Sequence, residues 1–244
     1  MLYATLIRKG EYAPHGANTR VKLMNRGAIF DIDGTILDSM PIWENAGIMY
    51  LKELGIKADK DLGKKLFSVC MMEGALYLKD KFQLDMSIDE IAEGIVITIE
   101  DFYLHKVKLK EGVKQFLGDM KEAGIRMVAA TSNERRIIEP ALRRLNVIDY
   151  FEKIFTCSEI GVGKVKPDIF LACASFMGTE PKDTWVFEDA LFAIKTAKKA
   201  GFKTVGVYDE FSKDHMDEIK RISDIYFEKL DDFDELCVSL YNKI

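Results

Sequence analysis

A short apolar run, Ala28-Ile29-Phe30, leads directly into Asp31-Ile32-Asp33-Gly34-Thr35-Ile36-Leu37-Asp38-Ser39. Contiguous β-branched and aromatic residues of this kind suit a strand buried on both faces of a parallel sheet. The run ends in two aspartates one residue apart, followed at once by Gly-Thr. Open α/β sheets bind ligands at the carboxyl edge of their strands, so this ending puts two carboxylates at a binding edge. Like charges so close are costly unless a cation lies between them, and a divalent metal held by oxygen ligands meets that need. Asp and Gly are also common turn formers, so an acidic turn would use the same residue types.

The rest of the chain has two textures. Ser39 with Pro41 close behind is a helix-start signal, and from Ile42 to about Lys108 the pattern is wholly helical. One helix should run to Leu54 and stop at Gly55, a second from Leu62 to Val69, and a third from Ala75 to Phe82. Ser87 and Glu90 form a capping box, after which Ile88, Ile91, Ile95, Ile99 and Phe102 repeat at helical spacing. Beyond Gly112, helices and strands alternate. Helices are expected at Val113–Ala123, Glu134–Leu145, Ile169–Met177, Ala190–Ala200 and Met216–Ile222, with a closing helix from Phe233. Strands are expected at Ile125–Ala130, Ile154–Thr156, Thr184–Phe187, Lys203–Val207 and Ile225–Phe227. Alternation of this kind implies an α/β fold with a doubly wound, mostly parallel sheet and an inserted α-helical domain. The expected division is 24–40 with 110–244 as the Rossmann-like core and 41–109 as the helical insert. Residues 1–23 form an N-terminal extension with no assigned function. Its apolar stretch Leu2–Ile7 is too short for a signal-peptide core, and Tyr12–Gly16 suits the turn of a small hairpin.

Composition narrows the function classes. In a chain of 244 residues, 48% apolar and 31% charged content describes a globular protein with an ordinary core. A net charge of −5 disfavours nucleic acid and anionic membranes as partners, and no apolar run reaches spanning length. Cys70, Cys157, Cys173 and Cys237 form no CxxC pair and read as reduced thiols of a cytoplasmic protein. No sequence feature sets an oligomeric state, and a monomer is compatible with all of them.

Four chemistry-bearing positions fall at equivalent places in the alternating pattern. Asp31 ends the first strand, Thr131 the second, Lys164 follows the third, and Glu188-Asp189 follow the fourth. In a parallel sheet all four points share one edge.

This order resembles the four motifs of the haloacid dehalogenase superfamily of phosphatases and phosphomutases, over the chain from about Met24 to Val207. Phe30–Ser39 is similar to the first motif and Met127–Thr131 to the second. Lys164-Val165-Lys166-Pro167-Asp168-Ile169-Phe170 is similar to the third, where the spacing to Pro167 favours Lys164 over Lys166. Val186-Phe187-Glu188-Asp189 is similar to the fourth. The insert between the first two motifs marks the helical-cap subgroup, which includes phosphoglycolate-phosphatase-like and β-phosphoglucomutase-like enzymes.

The resemblance implies a Mg²⁺-dependent reaction on a small phosphorylated metabolite. Asp31 would be the nucleophile and form an aspartyl-phosphate, and Asp33 the acid and then the base. Asp31, Asp189 and the backbone carbonyl of Asp33 would hold the metal, with Glu188 as a further partner. Lys164 would offset charge. Thr131, Gly34, Ser132 and Asn133 would hold the phosphoryl group, and Trp43 would face the substrate with Met71 and Met72, unless these three are core of the cap.

A haloalkanoate dehalogenase would need neither Asp33 nor Asp189. A phosphomutase needs a second phosphate site in the cap, yet no arginine occurs between Ile42 and Lys110. Arginine is the usual bidentate phosphate ligand, so hydrolysis is favoured, with a β-phosphoglucomutase-like activity the alternative. A non-catalytic binding protein on the same fold is the third reading, and the filled catalytic positions argue against it.

Overall fold

The computed structural model describes residues 26–59, 61–67 and 71–242. The hairpin expected within 1–23, and the end of the second helix at Val69, lie outside those residues. The chain divides into two compact units, Ser39–Val107 on its own and the residues up to Asp38 together with Lys108–Ile244.

The second of these contains strands β1 (Gly27–Phe30), β2 (Leu37–Asp38), β3 (Lys108–Leu109), β4 (Arg126–Thr131), β5 (Ile154–Thr156), β6 (Thr184–Glu188), β7 (Lys203–Val207) and β8 (Ile225–Phe227). Six of them form a parallel sheet in the order β5-β4-β1-β6-β7-β8. From β1 the chain builds outward through β4 and β5, then returns to the other side of β1 with β6. The carboxyl end of β1 is therefore the switch point at which a ligand crevice opens.

Every residue of β1 and β6 is buried, which accounts for their near-continuous apolar character. Successive residues feed opposite faces. Ile29, Val128 and Val186 pack with Ile169, Phe170, Ala193 and Ala197 of the helices Asp168–Met177 and Leu191–Lys199. On the other face Phe30 stacks on Phe187 with centroids 4.2 Å apart. Phe116, from the helix Val113–Glu122, meets Phe187, Phe227 and Phe233 edge-on.

In the helical unit, Met40–Glu53 packs on Asp61–Phe67 and on Ile88–His105, and Met71–Phe82 packs on Ile88–His105. Ser87 Oγ accepts from Glu90 N–H at 3.2 Å, and Glu90 Oε2 accepts from Ser87 N–H at 2.7 Å, closing the capping box. Ile91, Ile95 and Ile99 are buried along the same helix. Gly94 lets Tyr50 approach this helix closely, since a Cβ there would lie 2.3 Å from the tyrosine ring.

Three expectations need correction. The helical pattern does not persist to Lys108: Lys108–Leu109 form β3, paired antiparallel with β2. The two chain crossings thus satisfy each other's backbone groups, which a lone extended segment could not do. Ser39 does precede the first helix, but its side chain makes no capping hydrogen bond; Pro41 in the first turn contributes the fixed φ. The third helix starts at Met71, four residues ahead of Ala75, and there Met72 is 46% exposed rather than part of a core.

Candidate active site

β1 is extended by one more bond, from Asp31 N–H to the Phe187 carbonyl at 3.0 Å, which carries Asp31 onto the sheet edge. The chain then turns tightly: Ile36 and Leu37 N–H both donate to the Ile32 carbonyl, at 2.9 and 2.8 Å. Gly34 makes this turn at φ +87°. A Cβ on Gly34 would lie 2.6 Å from an oxygen of Asp189, so glycine serves both the backbone and the close approach. Thr35, fully buried, donates Oγ1 to Asp189 Oδ1 at 3.3 Å.

Asp31, Glu188 and Asp189 are buried and each offers a carboxylate oxygen within 4.8 Å of the others. Lys164, only 4% exposed, contacts Asp31 Oδ1 and donates to Glu188 Oε1 at 2.7 Å. Lys166 is exposed, so geometry separates the two lysines of the third segment. Burial pushes the Asp31 carboxyl well above its ordinary range; Lys164 opposes this, while Glu188, Asp189 and Asp33 add to it. Asp189 is pushed up to about 8 by burial and by Glu188 and Asp209, against Lys110 and Lys164. Burial disfavours the Lys164 ammonium, but Asp31 and Glu188 outweigh it and hold its pKa above the ordinary lysine value. With all three acids deprotonated, one ammonium among three buried carboxylates would leave surplus negative charge, which is why the metal-free site holds on to protons. An all-oxygen donor set with that surplus fits a hard divalent cation.

On β4, Thr131 is fully buried and its Oγ1 accepts from Asn133 N–H at 2.9 Å. Asn133 donates Nδ2 to Asp33 Oδ2 at 3.2 Å. Ser132 is exposed, with its hydroxyl 3.6 Å from Cys157 Sγ. Trp43 belongs to the helical unit, where its indole N–H donates to the Tyr103 hydroxyl at 2.6 Å.

Reasoning from the sequence missed Lys110, Asp209 and Ser212. Lys110 Nζ donates to the Gly34 carbonyl at 2.6 Å and to Asp209 Oδ2 at 2.9 Å, and Ser212 Oγ donates to Asp189 Oδ2 at 3.2 Å. None lies in a spaced motif; only the fold brings them beside Asp189.

The sequence matches the family described as haloacid dehalogenase-like hydrolase over residues 28–207. It is 31% identical over 184 residues to the fructose-1-phosphate phosphatase YqaB of Escherichia coli K12, covering 74% of this chain and 95% of that protein. It is 28% identical over 189 residues to the β-phosphoglucomutase of Bacillus subtilis, covering 75% and 83%. The fold matches a HAD hydrolase of family IA from Entamoeba histolytica with a TM-score of 0.75 at 19% identity, covering 88% and 99%. No helix among the described residues is long and apolar enough to cross a membrane. Motif order, sheet topology and the matched span agree, and the chain belongs to the haloacid dehalogenase-like hydrolases.

Proposed function

We propose that this hydrolase is a Mg²⁺-dependent phosphatase acting on a small phosphorylated metabolite, with sugar phosphates as the substrate class. One observation carries the reading: Asp31, Glu188 and Asp189 are gathered around Lys164 in a buried site at the sheet's switch point. The phosphatase relative supports the substrate class. Asp31, Asp189 and the Asp33 carbonyl would hold the ion, with Glu188 beside them. Bound there, Mg²⁺ supplies neutralising charge to phosphoryl oxygens.

Asp31 attacks phosphorus through a carboxylate oxygen, and the ester P–O bond breaks. Asp33 gives a proton to the departing alcohol oxygen, then takes one from the water that attacks the aspartyl-phosphate, which releases inorganic phosphate and regenerates Asp31. Lys164 holds Asp31 in place and offsets charge that builds on the transferred group. Asn133 N–H donates to Thr131 Oγ1, leaving the Thr131 hydroxyl proton to bond a phosphoryl oxygen. Ser132 contributes a backbone N–H group, whereas the Gly34 N–H is spent within the turn on the Leu37 carbonyl at 3.0 Å, so Gly34 serves the close approach to Asp189 rather than the phosphoryl group. The division of the chain at Ser39 and Val107 supports reading the helical unit as a cap. Cys157, Cys173 and Cys237 carry free thiols, which supports a cytoplasmic setting.

The test is a panel of phosphate monoesters assayed for phosphate release with Mg²⁺ and with chelator. Chelator-sensitive release from a sugar phosphate is expected; chelator-insensitive turnover would overturn the metal reading. A second reading, phosphomutase, is favoured by the Bacillus relative. Phosphorus NMR of β-glucose 1-phosphate with catalytic bisphosphate separates the two, and isomerisation faster than phosphate release would overturn the phosphatase assignment.

A further inference from the structure

Asp189 receives one hydroxyl on each carboxylate oxygen, Thr35 Oγ1 on Oδ1 and Ser212 Oγ on Oδ2. These donors ride on two segments distant in sequence. Thr35 is in the turn after β1, and Ser212 is in the 3-10 helix Glu210–His215 after β7. Both segments are tied to the same ammonium. Lys110 Nζ donates to the carbonyl of Gly34, the residue before Thr35, and to the Tyr208 carbonyl and Asp209 Oδ2 at the entry to the 3-10 helix. Asp209 in turn builds the turn that carries Ser212: its Oδ1 accepts from Phe211 N–H and its carbonyl from Ser212 N–H, both at 3.0 Å. Lys110 N–H also donates to the Ile36 carbonyl at 3.0 Å, which fixes the lysine's backbone on the first segment. Its side chain is 19% exposed, and the three partners match an ammonium's three donors.

We propose that Lys110 is a positioning residue for Asp189, clamping together the two segments whose hydroxyls orient that carboxylate for metal binding. This rests on the metal reading above. Clamp and simple charge predict opposite signs. A cation near a metal site repels the ion, so deleting Lys110 would tighten Mg²⁺ binding if charge were its whole effect. If it is a clamp, deletion frees both hydroxyl-bearing segments and weakens binding, since orienting partners of metal ligands are worth about 10–100-fold in affinity.

The experiment is Mg²⁺ titration of the full chain by calorimetry, without substrate, on wild type, Lys110→Met, Lys110→Arg, Asp209→Asn and Ser212→Ala. Expected are a loss of about tenfold or more for Lys110→Met, partial recovery for Lys110→Arg, and weakening for Asp209→Asn and Ser212→Ala. Equal or tighter binding by folded Lys110→Met overturns the clamp while leaving the metal reading intact. If Lys110→Met does not fold, unchanged affinity in both Asp209→Asn and Ser212→Ala overturns it instead. A wild type that binds no Mg²⁺ overturns the metal reading and the clamp together.

Discussion

Asn133 donates its side-chain amide to Asp33 Oδ2 at 3.2 Å, while its own Oδ1 accepts from Glu134 N–H at 2.8 Å. The second bond sets the orientation of the amide, because an oxygen engaged by a backbone N–H leaves the nitrogen to face Asp33. A residue whose sequence position suggests a phosphate ligand is thus built to hold the carboxylate assigned to acid–base work.

Asn133→Ala should therefore lower kcat by about tenfold on an alkyl phosphate, whose departing oxygen needs a proton. The loss should be smaller on p-nitrophenyl phosphate, whose leaving group needs little protonation. Steady-state kinetics with both esters checks this; equal losses would place Asn133 on the phosphoryl group rather than on Asp33.

The raised pKa of Asp189 makes a pH prediction for the metal-free protein. Its folded value of about 8 lies above the ordinary 3.8, so between those values the folded state keeps a proton that the unfolded state has lost. Stability from this group therefore falls as pH rises from about 4 to about 8, with no further loss above that. Mg²⁺ must displace the proton, so its stabilising effect should grow as pH approaches about 8. Thermal unfolding across pH, with and without Mg²⁺, reads both trends. Asp189→Asn should flatten the first and abolish the second, and an unchanged Mg²⁺ effect in that variant would remove Asp189 from the metal site.

Phe187 is fully buried, stacked on Phe30 at 4.2 Å and met edge-on by Phe116 at 5.9 Å. It lies directly before Glu188, so its packing also sets where the acidic pair leaves β6. Phe187→Ala should cost about 3–5 kcal/mol in urea unfolding, from lost transfer energy and the cavity left behind. A loss under about 1 kcal/mol would mean that the sheet face collapses around the gap.

The parallel strands are the most legible elements because short runs rich in β-branched and aromatic residues, bounded by turn residues and alternating with helical stretches, mark them. Ile154–Thr156, Lys203–Val207 and Ile225–Phe227 have the bounds their residues suggest. The β2–β3 ribbon was not legible: a strand of two residues has no period to read, and its pairing depends on where the helical unit returns the chain. The four expected stations contained the carboxylates and the lysine that the fold gathers. Lys110, Asp209 and Ser212 escaped because their meeting depends on β7 ending beside the first turn, which no local spacing encodes.

In the proposed reaction the phosphoryl group passes through a covalent bond to Asp31. Borohydride reduction of the protein quenched during turnover, followed by peptide mass spectrometry, tests it directly, since an aspartyl-phosphate is reduced to homoserine. Homoserine is expected at position 31, dependent on substrate and Mg²⁺, and none in Asp31→Asn. Unmodified Asp31 throughout steady release of phosphate, or an Asp31→Asn variant that turns over at the wild-type rate, would contradict the covalent route.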